Sequence, residues 1–536
     1  MTSSGRHAPV LPLAWLMLVV GQALATWTWE AAACALMAAA GAGIGLRHAL
    51  SPRLLRLAPV SSLSLAGYST FHFVLPPLVT AMEGQPLTTH LERPTDVLLH
   101  ALVCLLALIV SHRVYLGSGL LQAARQTLCG RLYGPLGLFR MPPPAHLFAM
   151  GAMGLLAAAW LTFTLGAAQL HEAESGIVTK LMQGLYPLAW VPLALMVQPL
   201  VDRRPMPPGQ WPVLLLYALA VALVGLGRNS RSAVLIGFVS IGIAWAYLAL
   251  IDPQRRASAF STRRLVLAAV VVWVAGGPLA DLATSMVIAR EERAEVSALQ
   301  VIQTTTSVFL DKERIRSFRA AEGGSSNEFW DERYVDNVFA SRLCNLRFAD
   351  ATLVLAHELD AAQSASLRSL EWQRVVGLLP RPILEQVSPE TDKDFVNSGS
   401  GGDLLLFVAT NAPRAMGGFR TGSIFASGYG QFGWFYVPLL MLLALFTFTL
   451  VDALTRRVAD PAAPGGWSPV FSPMLVVSLF TWCYYFTSAA TGAESMSELL
   501  AYLVRGWVQD ALVYATVFWL SAALVMVGGL GRKAPT

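Results

Sequence analysis

WPVLLLYALAVALVGLGRNSRSAVLIGFVSIGIAWAYLAL, residues 211–250, holds two apolar runs of nearly 20 residues joined by one short polar turn. At about 1.5 Å rise per residue, each run as a helix matches a hydrocarbon core of about 30 Å. Hydrocarbon offers backbone N–H and C=O groups no partner, so spanning runs of this kind must be helical. They are continuous rather than alternating, which argues against a membrane β-barrel. The turn carries Arg228 and Arg231, three residues apart and so on one face of a helical turn. Arginines at a membrane edge are candidates for holding an anionic substrate group, the alternative being that they snorkel to lipid phosphate.

The rest of the chain extends this pattern. Of its 536 residues 55% are hydrophobic and 13% charged, about half the roughly 25% charge of a soluble domain, and the mean hydropathy is +0.54. Apolar runs lie near 10–27, 30–46, 58–82, 96–112, 146–167, 181–201, 211–227, 232–251, 265–287, 429–451, 468–490 and 503–530. The expected fold is an all-α polytopic membrane protein of about twelve transmembrane helices. Nine lie in residues 1–287 and three in 429–536, on either side of one large, mostly helical loop at 288–428. Arg6, the first run and Ala23-Leu24-Ala25 also resemble a cleavable signal peptide; a retained first span is the expectation.

Charge sets the expected orientation. One set of short connections, with the termini, holds 18 Lys and Arg residues; the opposite set holds five, Arg93, Lys180, Arg228, Arg231 and Arg505. By the positive-inside rule both termini are cytoplasmic and the large loop is periplasmic, in a bacterial inner membrane. The net charge of +5 is therefore a topology signal, and without a basic run on a soluble domain no nucleic-acid partner is expected. Residues 113–145 set Arg113, Arg125, Arg131 and Arg140 among apolar residues, the pattern of an amphipathic helix on anionic lipid. Five scattered cysteines and the lack of paired metal-ligand spacings leave no metal site and no cofactor in view.

The polar stretch carries 15 of the 38 Lys and Arg residues and 19 of the 33 Asp and Glu residues. Helices are expected at 290–318, 334–359 and 366–379, then an irregular segment over 383–402 and a short apolar piece at 403–409 that dips to the membrane edge or closes over a site. Arg342, Arg347, Arg381, Arg414 and Arg420, with Lys393, are candidate anion ligands, because guanidinium binds phosphate bidentately and keeps its charge when desolvated. A diphosphate leaving group needs charge stabilisation, and an attacking hydroxyl needs orientation and a base. The candidate bases are Asp350, His357 and Glu358, each also readable as a surface charge or helix partner. His72 and His100 read as satisfied packing or interface residues. Asp281, and Asp510 with Arg505, read as structural Asp–Arg pairs.

Three stretches carry a family likeness: Gly-Arg-Asn-Ser-Arg-Ser at 227–232, Leu379-Pro380-Arg381-Pro382 with Lys393 downstream, and Thr421-Gly422-Ser423 through Tyr429 to Phe432-Gly433-Trp434. Over residues 220–450 the chain resembles the Wzy-type O-antigen polymerases, the oligosaccharide repeat-unit polymerases of bacterial inner membranes. The resemblance implies a GT-C-like architecture and a metal-independent glycosyltransferase acting on undecaprenyl-diphosphate-linked oligosaccharide, with Tyr429 among the substrate-binding residues. It also implies membrane lipids as surroundings and a chain-length regulator protein as a possible partner. An O-antigen ligase and a polysaccharide flippase remain the alternatives.

Overall fold

The computed structural model describes residues 10–26, 28–164, 177–228, 231–252, 270, 277–278, 280–289, 298–322, 334–335, 337–341, 344, 346–418, 420–461, 463, 465–487 and 494–527. Among them seven helices are long and apolar enough to cross a bilayer: Trp29–Ala49, Pro94–Gly117, Pro144–Phe163, Val178–Val201, Gln210–Gly227, Ile424–Asp452 and Met496–Met526. Shorter apolar helices cover Trp15–Leu24, Leu235–Ile251, Ala280–Ala289, Gly401–Thr410 and Pro473–Tyr484. This is the architecture of a helical membrane protein. Most of the run expected at 265–287 lies outside the described residues.

The chain forms two units, one of residues 1–121, 325–449 and 483–506, the other of residues 122–324, 450–482 and 507–536. The division cuts the polar stretch near residue 324, so its first helices belong to the second unit and the remainder to the first.

In the first unit, small residues let helices approach closely, the usual packing device in lipid. A Cβ at Gly41 would meet the Phe73 ring, and one at Gly45 the Ser69 hydroxyl. The third run is interrupted by a π-turn over Thr70–Val74, set between Pro59–Ser69 and Leu75–Met82. Pro76 and Pro77 cannot donate backbone N–H groups at this point, and Leu75 N–H reaches back to Thr70 O.

The polar part of the first unit is helical further along than expected. Leu346–Glu358 and Ala361–Val376 are helices, the latter opened by an Asp360–Gln363 capping box. The segment expected to be irregular contains two short helices, Arg381–Val387 and Lys393–Asn397, each begun by local chemistry: proline at the first turn, and Asp392 accepting from Asp394 and Phe395 N–H. The apolar piece is the helix Gly401–Thr410. On it Leu404, Leu405 and Leu406 are buried in a cluster with Leu355 and Leu367, worth about 1.5–3 kcal/mol per leucine.

In the second unit Pro144–Phe163 packs on Tyr186–Val197, which winds as a 3₁₀ helix where Pro192 breaks the α pattern. The departure from all-α structure is a hairpin of strand β1, Thr455–Ala459, antiparallel to β2, Trp467–Phe471. Arg125, expected on a lipid-facing helix, is instead buried and donates to Asp452 O at 3.1 Å and to the Thr455 hydroxyl at 3.0 Å. Asp281 is in an Asp–Arg pair, as expected, with Arg319 at 2.9 Å, and also meets Lys312 at 2.8 Å.

Candidate functional site

The site in the first unit is built on Ile424–Phe432. Two glycines shape it. A Cβ at Gly428 would press on Tyr436 at 2.9 Å. Gly433 takes φ +55°, a left-handed conformation that favours glycine, and reverses the chain after the helix. That reversal lays the Trp434 indole flat on the His100 ring, with centroids 4.3 Å apart and planes at 8°.

Tyr429 meets the other two rings edge-on, His100 at 5.0 Å and Trp434 at 5.7 Å. His357, at the end of Leu346–Glu358, lies 4.8 Å from Tyr429 and 6.4 Å from His100. His100 is itself anchored, its Nδ1 at 3.0 Å from the Tyr436 hydroxyl, which lies 3.4 Å from Cys104 Sγ. The cluster grades from a closed floor to an open rim: His100 is 2% exposed, Tyr429 and His357 are half-buried, and Trp434 is 48% exposed.

His357 is the reactive member by its surroundings. Its Nε2 is buried with no hydrogen-bond partner among the described residues. Burial first, and then the Arg93 guanidinium, hold its pKa below the ordinary imidazole value, with Asp96 opposing. The ring is therefore neutral near pH 7 and its free nitrogen can accept a proton. Arg93 is exposed and pairs with Asp96 at 3.6 Å. Arg368 donates to Gln431 O at 2.6 Å, tying Ala361–Val376 to the C-terminal end of Ile424–Phe432.

Three of the seven arginines singled out by charge, Arg347, Arg381 and Arg420, are in structural pairs. Arg347 is buried and bonds Asp350 at 2.9 Å, with Glu92 at 3.5 Å. Asp350 accepts in addition from the backbone N–H of Glu92 at 2.8 Å and of Arg93 at 2.9 Å. With three donors on a fully buried carboxylate, Asp350 is a clamp on the 83–93 connection. Burial still raises its pKa, against those N–H groups and Arg347. Glu358 is exposed, next to His357 and outside the ring cluster.

Arg381 Nη2 donates to both carboxylate oxygens of Asp394, at 2.9 and 3.0 Å, on the surface, and Lys393 donates to Leu379 O at 2.7 Å. Both residues thus brace the 379–397 segment. Arg420 donates to Asp403 at 3.1 Å and Ala415 O at 2.8 Å. Arg414 is exposed on the Pro413–Ala415 turn. Arg342 and the Arg231 side chain lie outside the described residues. Of the candidate residues, then, His357 and Tyr429 are brought together.

Charge counting also passed over a buried polar group on the same helices. Arg374 donates to Val396 O, Gly399 O and Ser400 O and pairs with Glu498 at 2.8 Å. Glu371 accepts from the Ser495 hydroxyl at 2.9 Å and from the Ser497 hydroxyl. Burial raises the Glu371 pKa, and burial with the Glu498 carboxylate nearby pushes Glu494 up to about 8.

In the second unit the Arg228 guanidinium stacks over Tyr186 at 4.6 Å. It lines a small pocket with Leu155, Trp190 and Val221, and its Nη1 is buried without a hydrogen-bond partner among the described residues. Among the described residues no group of three or more His, Cys, Asp or Glu side chains is placed to share a metal ion.

The arrangement in the first unit can take a proton from a hydroxyl and offer a fixed aromatic face beside it. No protein-family model, curated protein or solved structure matches the chain.

Proposed function

We propose that this protein is a membrane glycosyltransferase that polymerises undecaprenyl-diphosphate-linked oligosaccharide repeat units into a surface polysaccharide on the periplasmic face of a bacterial inner membrane. The observation that carries the reading is the buried, unpartnered Nε2 of neutral His357 beside Tyr429, in a chain with helices of bilayer length. The acceptor sugar's hydroxyl oxygen attacks the anomeric carbon of the growing chain. The bond from that carbon to the diphosphate oxygen breaks, its electron pair leaves with the diphosphate, and the hydroxyl proton passes to His357 Nε2. General-base help of this kind contributes about 10²–10⁴-fold. Diphosphate is a good leaving group, so it needs cationic stabilisation rather than an acid. Arg414, exposed and in the same unit as His357, is the arginine assigned to that role.

A deletion strain tests the reading. Loss of a polymerase leaves single repeat units on the final acceptor. Loss of a ligase leaves lipid-linked polymer unattached, and loss of a flippase leaves units on the cytoplasmic side; either of the last two patterns overturns the proposal. Restoring the wild-type chain should restore the glycan ladder, and His357→Gln should not.

A further inference from the structure

The geometry points to the exposed face of Trp434, held flat by His100 and edged by Tyr429, as a binding platform for a pyranose ring of the acceptor; this rests on the glycosyl-transfer reading above. A tryptophan at the head of an apolar helix would by default be an interfacial anchor, free to settle among headgroups. Trp434 is not placed that way. Its inner face is covered by a histidine at stacking distance, that histidine is buried and fixed through Tyr436, and the turn that delivers the indole depends on a left-handed glycine. One rigid aromatic face is left open at the rim.

Tyr429, which edges the indole, lies 4.8 Å from the His357 ring, and the Arg93–Asp96 pair is near enough to His357 to act on its charge. A ligand for this surface needs an apolar face to lie on the indole and hydroxyls at its edge to meet the imidazole. A pyranose has both: its axial C–H bonds form one face and its hydroxyls radiate from the rim. An isoprenoid chain has the first feature and lacks the second. With a ring on Trp434, the hydroxyls that reach toward Tyr429 are those presented to His357, so the platform would select which hydroxyl is glycosylated.

Saturation-transfer NMR on the full-length protein in lipid nanodiscs tests this, with methyl glycosides of common hexoses and N-acetylhexosamines as probes. The expected result is saturation of axial ring protons for at least one glycoside. Binding should be roughly tenfold weaker in Trp434→Ala and retained in Trp434→Tyr. Should Trp434→Ala fail to accumulate, Trp434→Leu keeps apolar bulk without an aromatic face and carries the same expectation. No saturation of any glycoside by the wild-type protein, unchanged binding by the folded alanine or leucine variant, or displacement by farnesol with no sugar signal would each overturn the platform. The two proposals fail separately. Chain-length loss in Trp434→Ala with normal His357→Gln activity removes the base, whereas sugar binding by a protein whose deletion strain shows a ligase or flippase pattern removes the polymerase reading.

Discussion

His357 on Leu346–Glu358 and Arg374 on the next helix, Ala361–Val376, are ionisable side chains treated in opposite ways. At Arg374 a guanidinium meets three backbone carbonyls and a carboxylate, and the neighbouring Arg420 and Asp403 pair in turn. At His357 the ring stands among aromatics with one nitrogen buried and unpartnered. Glu371 Oε1 is also unpartnered, but that residue is 2% exposed, while His357 is half-buried and its neighbour Tyr429 meets an indole that is 48% exposed. Charge that has found a partner supports the scaffold; a polar atom kept without one beside an open surface is where binding and proton transfer can take place.

The contrast is easiest to break at its structural end. Arg374→Ala leaves Glu498 and three carbonyls without their donor, and losing one partner of a buried pair costs about 3–5 kcal/mol, a large part of a total near 5–15 kcal/mol. The variant should fail to accumulate in membranes, as an immunoblot of membrane fractions would read; normal abundance would mean that the pair is not structural.

His357→Gln should do the opposite. Chain polymerisation should fall about 10²–10⁴-fold in a glycan ladder assay, with membrane abundance and melting temperature unchanged. A fall in both would move His357 into the scaffold.

Acidity separates the two regions by sign. Glu371 and Glu494 have raised pKa values in the folded protein, so their contribution to stability is fully present below the unfolded carboxyl value of about 4.5 and is lost as pH rises through the folded value, which for Glu494 is about 8. The lowered pKa of His357 acts the other way, its contribution being present above 6.5 and lost as pH falls. The melting temperature in detergent should therefore decline from pH 5 to pH 8 through the carboxyl group, and Glu494→Gln should flatten that decline. A flat wild-type profile would show that these carboxyls are solvated.

The smallest effect is expected at Arg381. Its pair with Asp394 is on the surface, where such pairs contribute at most about 1 kcal/mol. Arg381→Ala should leave the melting temperature within a degree or two and the glycan ladder intact; a lost ladder with unchanged melting would return Arg381 to the diphosphate ligands.

The helices were the legible part, because burial in hydrocarbon writes itself as continuous apolar runs: 94–117, 144–163 and 210–227 lie close to the runs read from composition. Short elements that rest on local hydrogen bonds were not legible in hydropathy, including the Thr455–Phe471 hairpin and the helices at 381–397. For the site, the histidine on the polar stretch could be picked out as a base candidate, since it is the one imidazole there. Its setting could not. The rings around it come from residues 100, 429 and 434, and the backbone donors to Asp350 come from residues 92 and 93. Pairing across such separations leaves no trace in spacing. Gly433-Trp434 was the one local clue, a residue suited to positive φ directly before an indole.

The clamp at Asp350 also has a history in time. The amides it holds precede it by 258 and 257 residues, and Tyr334, which donates to Leu87 O, lies 247 residues from its partner. At roughly 5–20 residues per second of synthesis, the 83–93 connection waits about 13–50 s before its carboxylate exists. During that interval the helices on either side of it can already be inserted while the strap between them is still untied. A nascent chain stalled before residue 350 should carry a protease-sensitive connection at 83–93 that becomes resistant once synthesis has passed that aspartate.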